Sequence, residues 1–133
     1  MGYRVLEHTA DVGIEATAPD LPTLFSEAVR ATAAVILDAD PPPAFDRVAV
    51  SAEADDKGAL LAEVLTEALW RFESSGWIPV DAGLEVSETT AAGTFGVVSG
   101  IPIGGPAIKA VTYHQLSVER TPGGWLGRVY FDV

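Results

Sequence analysis

Apolar and polar residues alternate with a period of two over much of this chain, and in two places the period lengthens to that of a helix. Residues 3–7 read as a short strand. Val12, Ile14, Ala16 and Ala18 then alternate with Gly13, Glu15 and Thr17 as a half-buried strand would. Residues 8–11 connect the two, and with so little glycine a wider turn or bulge fits better than a two-residue hairpin.

Asp20 stands at a helix N-cap position, followed by Leu21, Leu24, Phe25, Ala28, Val29, Thr32, Val35 and Ile36 at the spacing of one buried helical face. Pro22 is acceptable in the first turn, and the run Pro41-Pro42-Pro43 stops the helix after Leu37. Residues 45–53 form a third strand. Asp55-Asp56 opens a second helix with Leu60, Leu61, Val64, Leu65, Ala68, Leu69 and Phe72 on one face and Gly76 at its end. Trp70 and Phe72 are expected in or near the core.

The remaining runs, 78–88, 93–101, 108–120 and 125–132, are strand-like. They are separated by Ala91-Ala92-Gly93, by residues 102–106 with Gly104-Gly105, and by Thr121-Pro122-Gly123-Gly124, which predicts a tight hairpin. Residues 100–106 are the expected variable or mobile loop. The order β-β-α-β-α-β-β-β-β has too few alternating helices for a doubly wound sheet. It predicts an α+β fold, a two-layer sandwich with two helices packed on a mixed β-sheet, in one domain over residues 1–133.

Composition narrows the function. With 48% hydrophobic and 20% charged residues the chain is of globular type, and with no cysteine it has neither disulfides nor thiolate metal sites. No run reaches the roughly 18 apolar residues of a membrane span, and the N-terminus lacks a signal-peptide core, so a cytoplasmic protein without a membrane partner is expected. The net charge of −11 repels phosphate backbones, which argues against direct, tight nucleic-acid binding and favours cations or a basic protein surface.

Candidate chemistry lies at the two ends of the chain and in one late strand. His8-Thr9-Ala10-Asp11-Val12-Gly13 places an imidazole, a hydroxyl and a carboxylate on a strand connection, and the chain closes on Phe131-Asp132-Val133. Asp11, Asp132 and a terminal carboxylate are hard oxygen donors suited to Ca²⁺, Mg²⁺ or Mn²⁺, although aspartates so far apart in sequence are commonly solvated surface groups. With Val129, Phe131 and Val133 on one face of the last strand, Asp132 and Tyr130 fall on the other. In residues 108–116 the alternation falters: Ile108, Ala110, Leu116 and Val118 define an apolar face that would also carry Thr112 and His114, with Val111 and Tyr113 opposite. That pattern reads either as a bulge or strand end with a satisfied histidine, or as an open site. His8 and His114 lack the spacing of a zinc site, and no serine elbow or phosphate loop is present.

The motif at residues 8–13, the run Lys109-Ala110-Val111-Thr112-Tyr113-His114-Gln115-Leu116 and the closing Asp132-Val133 together resemble the archease family, in the same order and over essentially the whole chain. The resemblance implies a non-catalytic protein cofactor of an RtcB-type RNA ligase, which joins tRNA halves in splicing and repairs broken RNA using GTP and manganese. The cofactor would promote ligase guanylylation and turnover. By the same resemblance Asp11 and Asp132 would bind a divalent cation, Ca²⁺ foremost, with the main chain at Val133. Lys109 would be a functional contact, and His8, Thr9, Thr112, Tyr113 and His114 would serve partner binding. Pro22, Thr23 and Gly58 depart from the family pattern in the first turns of the helices only. A stand-alone calcium-binding or chaperone-like module is the rival reading. A metal-dependent phosphohydrolase is a third.

Overall fold

The computed structural model describes residues 1–7 and 11–133. Its order is β1 (Gly2–Glu7), β2 (Asp11–Ala18), α1 (Leu21–Leu37), β3 (Asp46–Glu53), α2 (Lys57–Ser75), β4 (Ile78–Val86), β5 (Thr90–Val98), β6 (Ala110–Thr121) and β7 (Gly124–Asp132), as the pattern predicts. The turn expected before β2 falls largely outside the described residues. The α+β class with two helices packed on sheet is also as predicted, while the strands divide between two sheets, β1-β2-β7-β6 and β3-β5-β4. All described pairings are antiparallel. Among the described residues no helix is long and apolar enough to cross a membrane.

Helix α1 explains the division into two sheets. It packs against β1 and β2 of one sheet and against β4 of the other. The pattern predicts one buried face, yet Glu27, Ala31, Ala33, Ala34 and Leu37 are buried as well, so the helix is enclosed on nearly every side. The small residues at 31, 33 and 34 are what permit close approach on the additional faces. The core runs continuously from this helix into both sheets, with Phe25, Phe95 and Phe131 fully buried.

A buried helix must have both its ends satisfied. At the N-terminus Asp20 accepts a hydrogen bond from the Thr23 N–H at 2.8 Å. At the C-terminus Asp38 takes a left-handed conformation, and the Gly105 N–H donates to the Ile36 carbonyl at 3.0 Å. A Cβ on Gly105 would run into the Val35 carbonyl oxygen and come within 2.9 Å of that of Ile36. The loop expected to vary is therefore pinned to the helix end at this glycine.

Two local expectations change. Ala91, Ala92 and Gly93 are paired within β5, and the reversal lies at residues 87–89, where the Ser87 hydroxyl accepts from Thr90 N–H at 2.9 Å and Thr89 N–H at 3.3 Å. Such a side-chain turn needs no glycine. Trp70 is 57% exposed because it falls outside the Leu61, Leu65, Leu69, Phe72 stripe of α2, with its ring beside the Arg71 guanidinium. Phe72 does pack against the core. The Thr121–Gly124 turn is the expected tight hairpin between β6 and β7.

On the sheet face away from the helices, Glu15 ties β1, β2 and β7 together. One carboxylate oxygen receives Arg4 at 2.8 Å and the other receives Arg128 at 2.7 Å. The Glu15 side chain is only 13% exposed. Hydrogen bonding from Arg128, with a smaller contribution from Arg4 that together outweigh burial, holds its carboxyl below the usual range.

Two stability measurements follow from these contacts. Gly105→Ala lowers unfolding free energy in urea by about 1–3 kcal/mol through overpacking, whereas Gly123→Ala, with open space around it, changes it by less than about 0.5 kcal/mol. Glu15→Gln destabilises at neutral pH by about 1–3 kcal/mol. Because the folded state favours ionised Glu15, its contribution is complete above about pH 4.3 and vanishes as pH falls through the lower folded value. Denaturation curves of the two proteins therefore converge on acidification, and a constant difference down to pH 2 contradicts the clamp.

Candidate functional site

Strand alternation decides which side chains meet. With Val12, Ile14 and Ala16 turned to the core, Asp11, Gly13 and Glu15 lie on the other face of β2. On β7, Val129 and Phe131 face the core, leaving Arg128, Tyr130 and Asp132 outward. The β2–β7 register then pairs Glu15 with Arg128, Gly13 with Tyr130 and Asp11 with Asp132 in successive rows.

The middle row builds a floor. A Cβ on Gly13 would stand 2.6 Å from a Tyr130 ring carbon, so the ring lies directly over the glycine backbone. Although it is on the outer face, Tyr130 is only 5% exposed. Part of its cover comes from β6. Thr112 is opposite Tyr130 and Ser117 opposite Arg128, so residues 113–116 stand against Val129 alone, and Gln115 has φ of 55°. His114 on this bulge holds its ring 6.2 Å from that of Tyr130.

The bulge corrects the apolar face expected for β6. Val111 and Val118 both pack toward the core, while Ala110 is exposed and Thr112 lies on the outer face, because the inserted residues change the phase of alternation between the two halves of the strand. The histidine is exposed, not set on a core face.

Among the predicted site residues, Asp11 and Asp132 come together at the last row, half-buried and exposed respectively. Neither carboxylate has a hydrogen bond or ion pair among the described residues. Ala110 is Asp132's neighbour on β6, and the Lys109 N–H donates to the Asp132 carbonyl at 2.8 Å. The Lys109 side chain is exposed and makes no ion pair among the described residues. Val133 follows Asp132 and packs partly against the core. Thr112 lies one row in, and its hydroxyl is shielded from solvent without a hydrogen-bond partner among the described residues. Tyr113 is 62% exposed on the bulge. His8 and Thr9 lie outside the described residues.

Two carboxylates directly opposite each other on a sheet repel, and a hard cation between them would reverse the sign of that interaction. The donors fit such an ion chemically. Among the described residues they are not joined by a third His, Asp or Glu, so main-chain oxygens, water or a partner's groups would complete the shell. Tyr130, Gly13 and the Glu15–Arg128 pair were not among the predicted site residues. The alternation Arg128, Tyr130, Asp132 carries the signal for two of them.

Comparison with known proteins bears on the whole chain. Residues 3–133 match the model of the Archease protein family (MTH1598/TM1083). Protein archease of Methanopyrus kandleri is 31% identical over the full length of both chains. The solution structure of Methanobacterium thermoautotrophicum protein 1598 superposes with a TM-score of 0.69 at 24% identity, covering 99% of each chain. The crystal structure of a Thermotoga maritima archease, described as a possible chaperone, gives 0.63 at 20% identity, covering 96% of this chain and 94% of the other. The two structures speak to the fold, and the α+β arrangement is shared with both. Taken with the family match over nearly every residue and the full-length relative, they leave no other reading: the chain belongs to the Archease protein family.

Proposed function

We propose that this protein is a non-catalytic activator of an RtcB-type RNA ligase in tRNA splicing and RNA repair, acting with a divalent cation held at Asp11 and Asp132. The observation that carries the reading is the register that sets these two carboxylates opposite each other at the end of the β2–β7 pair, with no cationic partner among the described residues. Asp11, Asp132 and a main-chain oxygen at Val133 would hold the ion, Ca²⁺ foremost, with Mg²⁺ and Mn²⁺ as alternatives. When bound, it supplies positive charge that offsets phosphate negative charge.

The chain's own residues position that end of the molecule. Packing of Tyr130 on Gly13 holds β2 and β7 close, and the Lys109 N–H fixes the Asp132 carbonyl. Lys109, Tyr113 and His114 are exposed around it, available to a ligase surface. The net charge of −11 steers the protein toward a basic nucleotide- and RNA-binding face while keeping it off RNA itself.

A chaperone-like role is the second reading, favoured by Phe45 at 82% and Trp70 at 57% exposure, the former stacked 6.4 Å from Trp77. Trp70 lies on α2, Phe45 just before β3 and Trp77 just before β4, none of them on the β2–β7 rows that hold Asp11 and Asp132. Substitutions at the aspartates therefore separate the two roles.

Two measurements test the proposal. Asp11→Ala and Asp132→Ala, shown to be folded by circular dichroism, abolish stimulation of ligase guanylylation, and undiminished stimulation by both rules out the metal-site version. In chelator, Asp132→Asn is more stable than the wild type by about 0.2–1 kcal/mol because like-charge repulsion is relieved. Added Ca²⁺ raises the melting temperature of the wild type and leaves the variant unmoved. Equal Ca²⁺ responses would assign the cation elsewhere.

A further inference from the structure

A long acidic groove follows the exposed flank of α1 between the terminal strands of the two sheets. Its widest part, about 860 Å³, lies between α1 and β4 and is lined by Glu27, Arg30, Asp81 and Glu85. Met1, Glu27 and Arg30 also line a second hollow beside the start of β1, and Tyr3 and Asp40 carry that one into a third, where Val5, Ala34 and Pro106 make an apolar wall. The hollows adjoin through these shared residues, with the Tyr3 hydroxyl donating to the Asp40 carboxylate at 2.7 Å at the junction of the second and third.

Two features within the groove are incomplete. Glu27 is 9% exposed, yet its carboxylate accepts no hydrogen bond among the described residues, and its ion pair with Arg30 spans 4.0 Å. The Arg30 Nε is shielded and has no acceptor, because the guanidinium lies over the Tyr3 ring at 5.8 Å. Held only by that long ion pair, the Glu27 carboxylate opens onto the groove and can take a second cation. The walls, β1 and β4, are the terminal strands of their sheets. Among the described residues no main-chain hydrogen bond reaches either from its outer side, and one β4 N–H, that of Ala82, is taken by the Ser26 hydroxyl.

We propose that this groove docks an extended, lysine- or arginine-bearing segment of a protein partner, with Glu27 receiving the cationic head. Charge complementarity selects the occupant: Glu27, Asp38, Asp40, Asp81 and Glu85 line these hollows against two cations, Arg30 and the Met1 amino group, and of the carboxylates Asp81 is also paired from outside, with Arg47 at 3.0 Å, so the lining stays net negative. A lysine or arginine also has an apolar stem to lay along Val5, Ala34 and Pro106. Terminal strands favour an extended backbone. The Glu27 end is separate from the aspartate pair, since Gly2 pairs with Thr17, six residues and roughly 20 Å along β2 from Asp11, and the hollow that reaches Val12 lies on the opposite face of β2 from Asp11. It stands or falls independently of the ligase reading.

The test is a titration of the ¹⁵N-labelled full chain with a hexapeptide alternating valine and lysine, followed by NMR. Shifts concentrate on the amides of Tyr3, Glu27, Arg30 and Gly83, and the glutamate-for-lysine peptide gives none. Glu27→Gln weakens binding about tenfold, while Glu53→Gln, an equal change of charge outside the groove, leaves it unaltered. Shifts spread evenly over the acidic surface, no binding, or equal affinity for Glu27→Gln overturns the proposal. The map on the wild-type chain decides the matter whether or not that variant folds.

Discussion

Enclosure of α1 between two sheets is the constraint on which the rest of this structure depends. A helix buried on nearly every side joins the two sheets' cores, and it forces unrelated parts of the chain to complete its ends. The N-terminus is closed locally by Asp20, but the C-terminus needs Gly105, far along the chain, to bring an N–H to the Ile36 carbonyl. The segment between β5 and β6 is thereby fixed in place. Because β6 begins just beyond it, the same contact helps set where Lys109 meets Asp132.

The site inherits its geometry from strand register. Side chains in a strand repeat every two residues, so the Asp11–Asp132 pairing exists only in the register that also turns Ile14 and Phe131 inward. The core thus enforces a juxtaposition that is itself unfavourable without a cation. Glu15 with its two arginines and Tyr130 over Gly13 reinforce that register from the outer face, two rows and one row away from the aspartates.

Locally encoded features were legible in the sequence. The caps at Asp20, Asp56 and Gly76 and both helical stripes depend on neighbours within a turn. The same holds for the tight turn before β7 and for Asp132 facing away from the core. What was not legible depends on contacts between distant segments. The division into two sheets follows from α1 packing, and no period in the sequence reports it. The bulge at residues 113–116 masked the alternation of β6, and the hydroxyl-based turn at Ser87 offered none of the glycine or proline signals that mark a reversal. Pairing of Asp11 with Asp132 was anticipated as chemistry. Its neighbours Tyr130 and Gly13 were not, since an aromatic ring laid on a glycine is visible only once the register is known.

Internal pairing of the basic side chains also shapes the kinetics of encounter. Arg4 and Arg128 are spent on Glu15, Arg30 on Glu27 and Tyr3, Arg47 on Asp81, Lys57 on Glu88, Arg71 on the Ala49 carbonyl and Arg120 on the Trp125 ring. Among the described residues this leaves Lys109 as the one basic side chain without such a partner. The field seen from a distance follows the net charge of −11, and it reaches about 8 Å into physiological salt. Basic surfaces are drawn in from beyond contact, at rates that fall as ionic strength rises. That lysine follows the chain to the aspartate pair, its N–H held by the Asp132 carbonyl, so the one basic side chain not drawn into an internal contact lies at that end of an otherwise negative molecule.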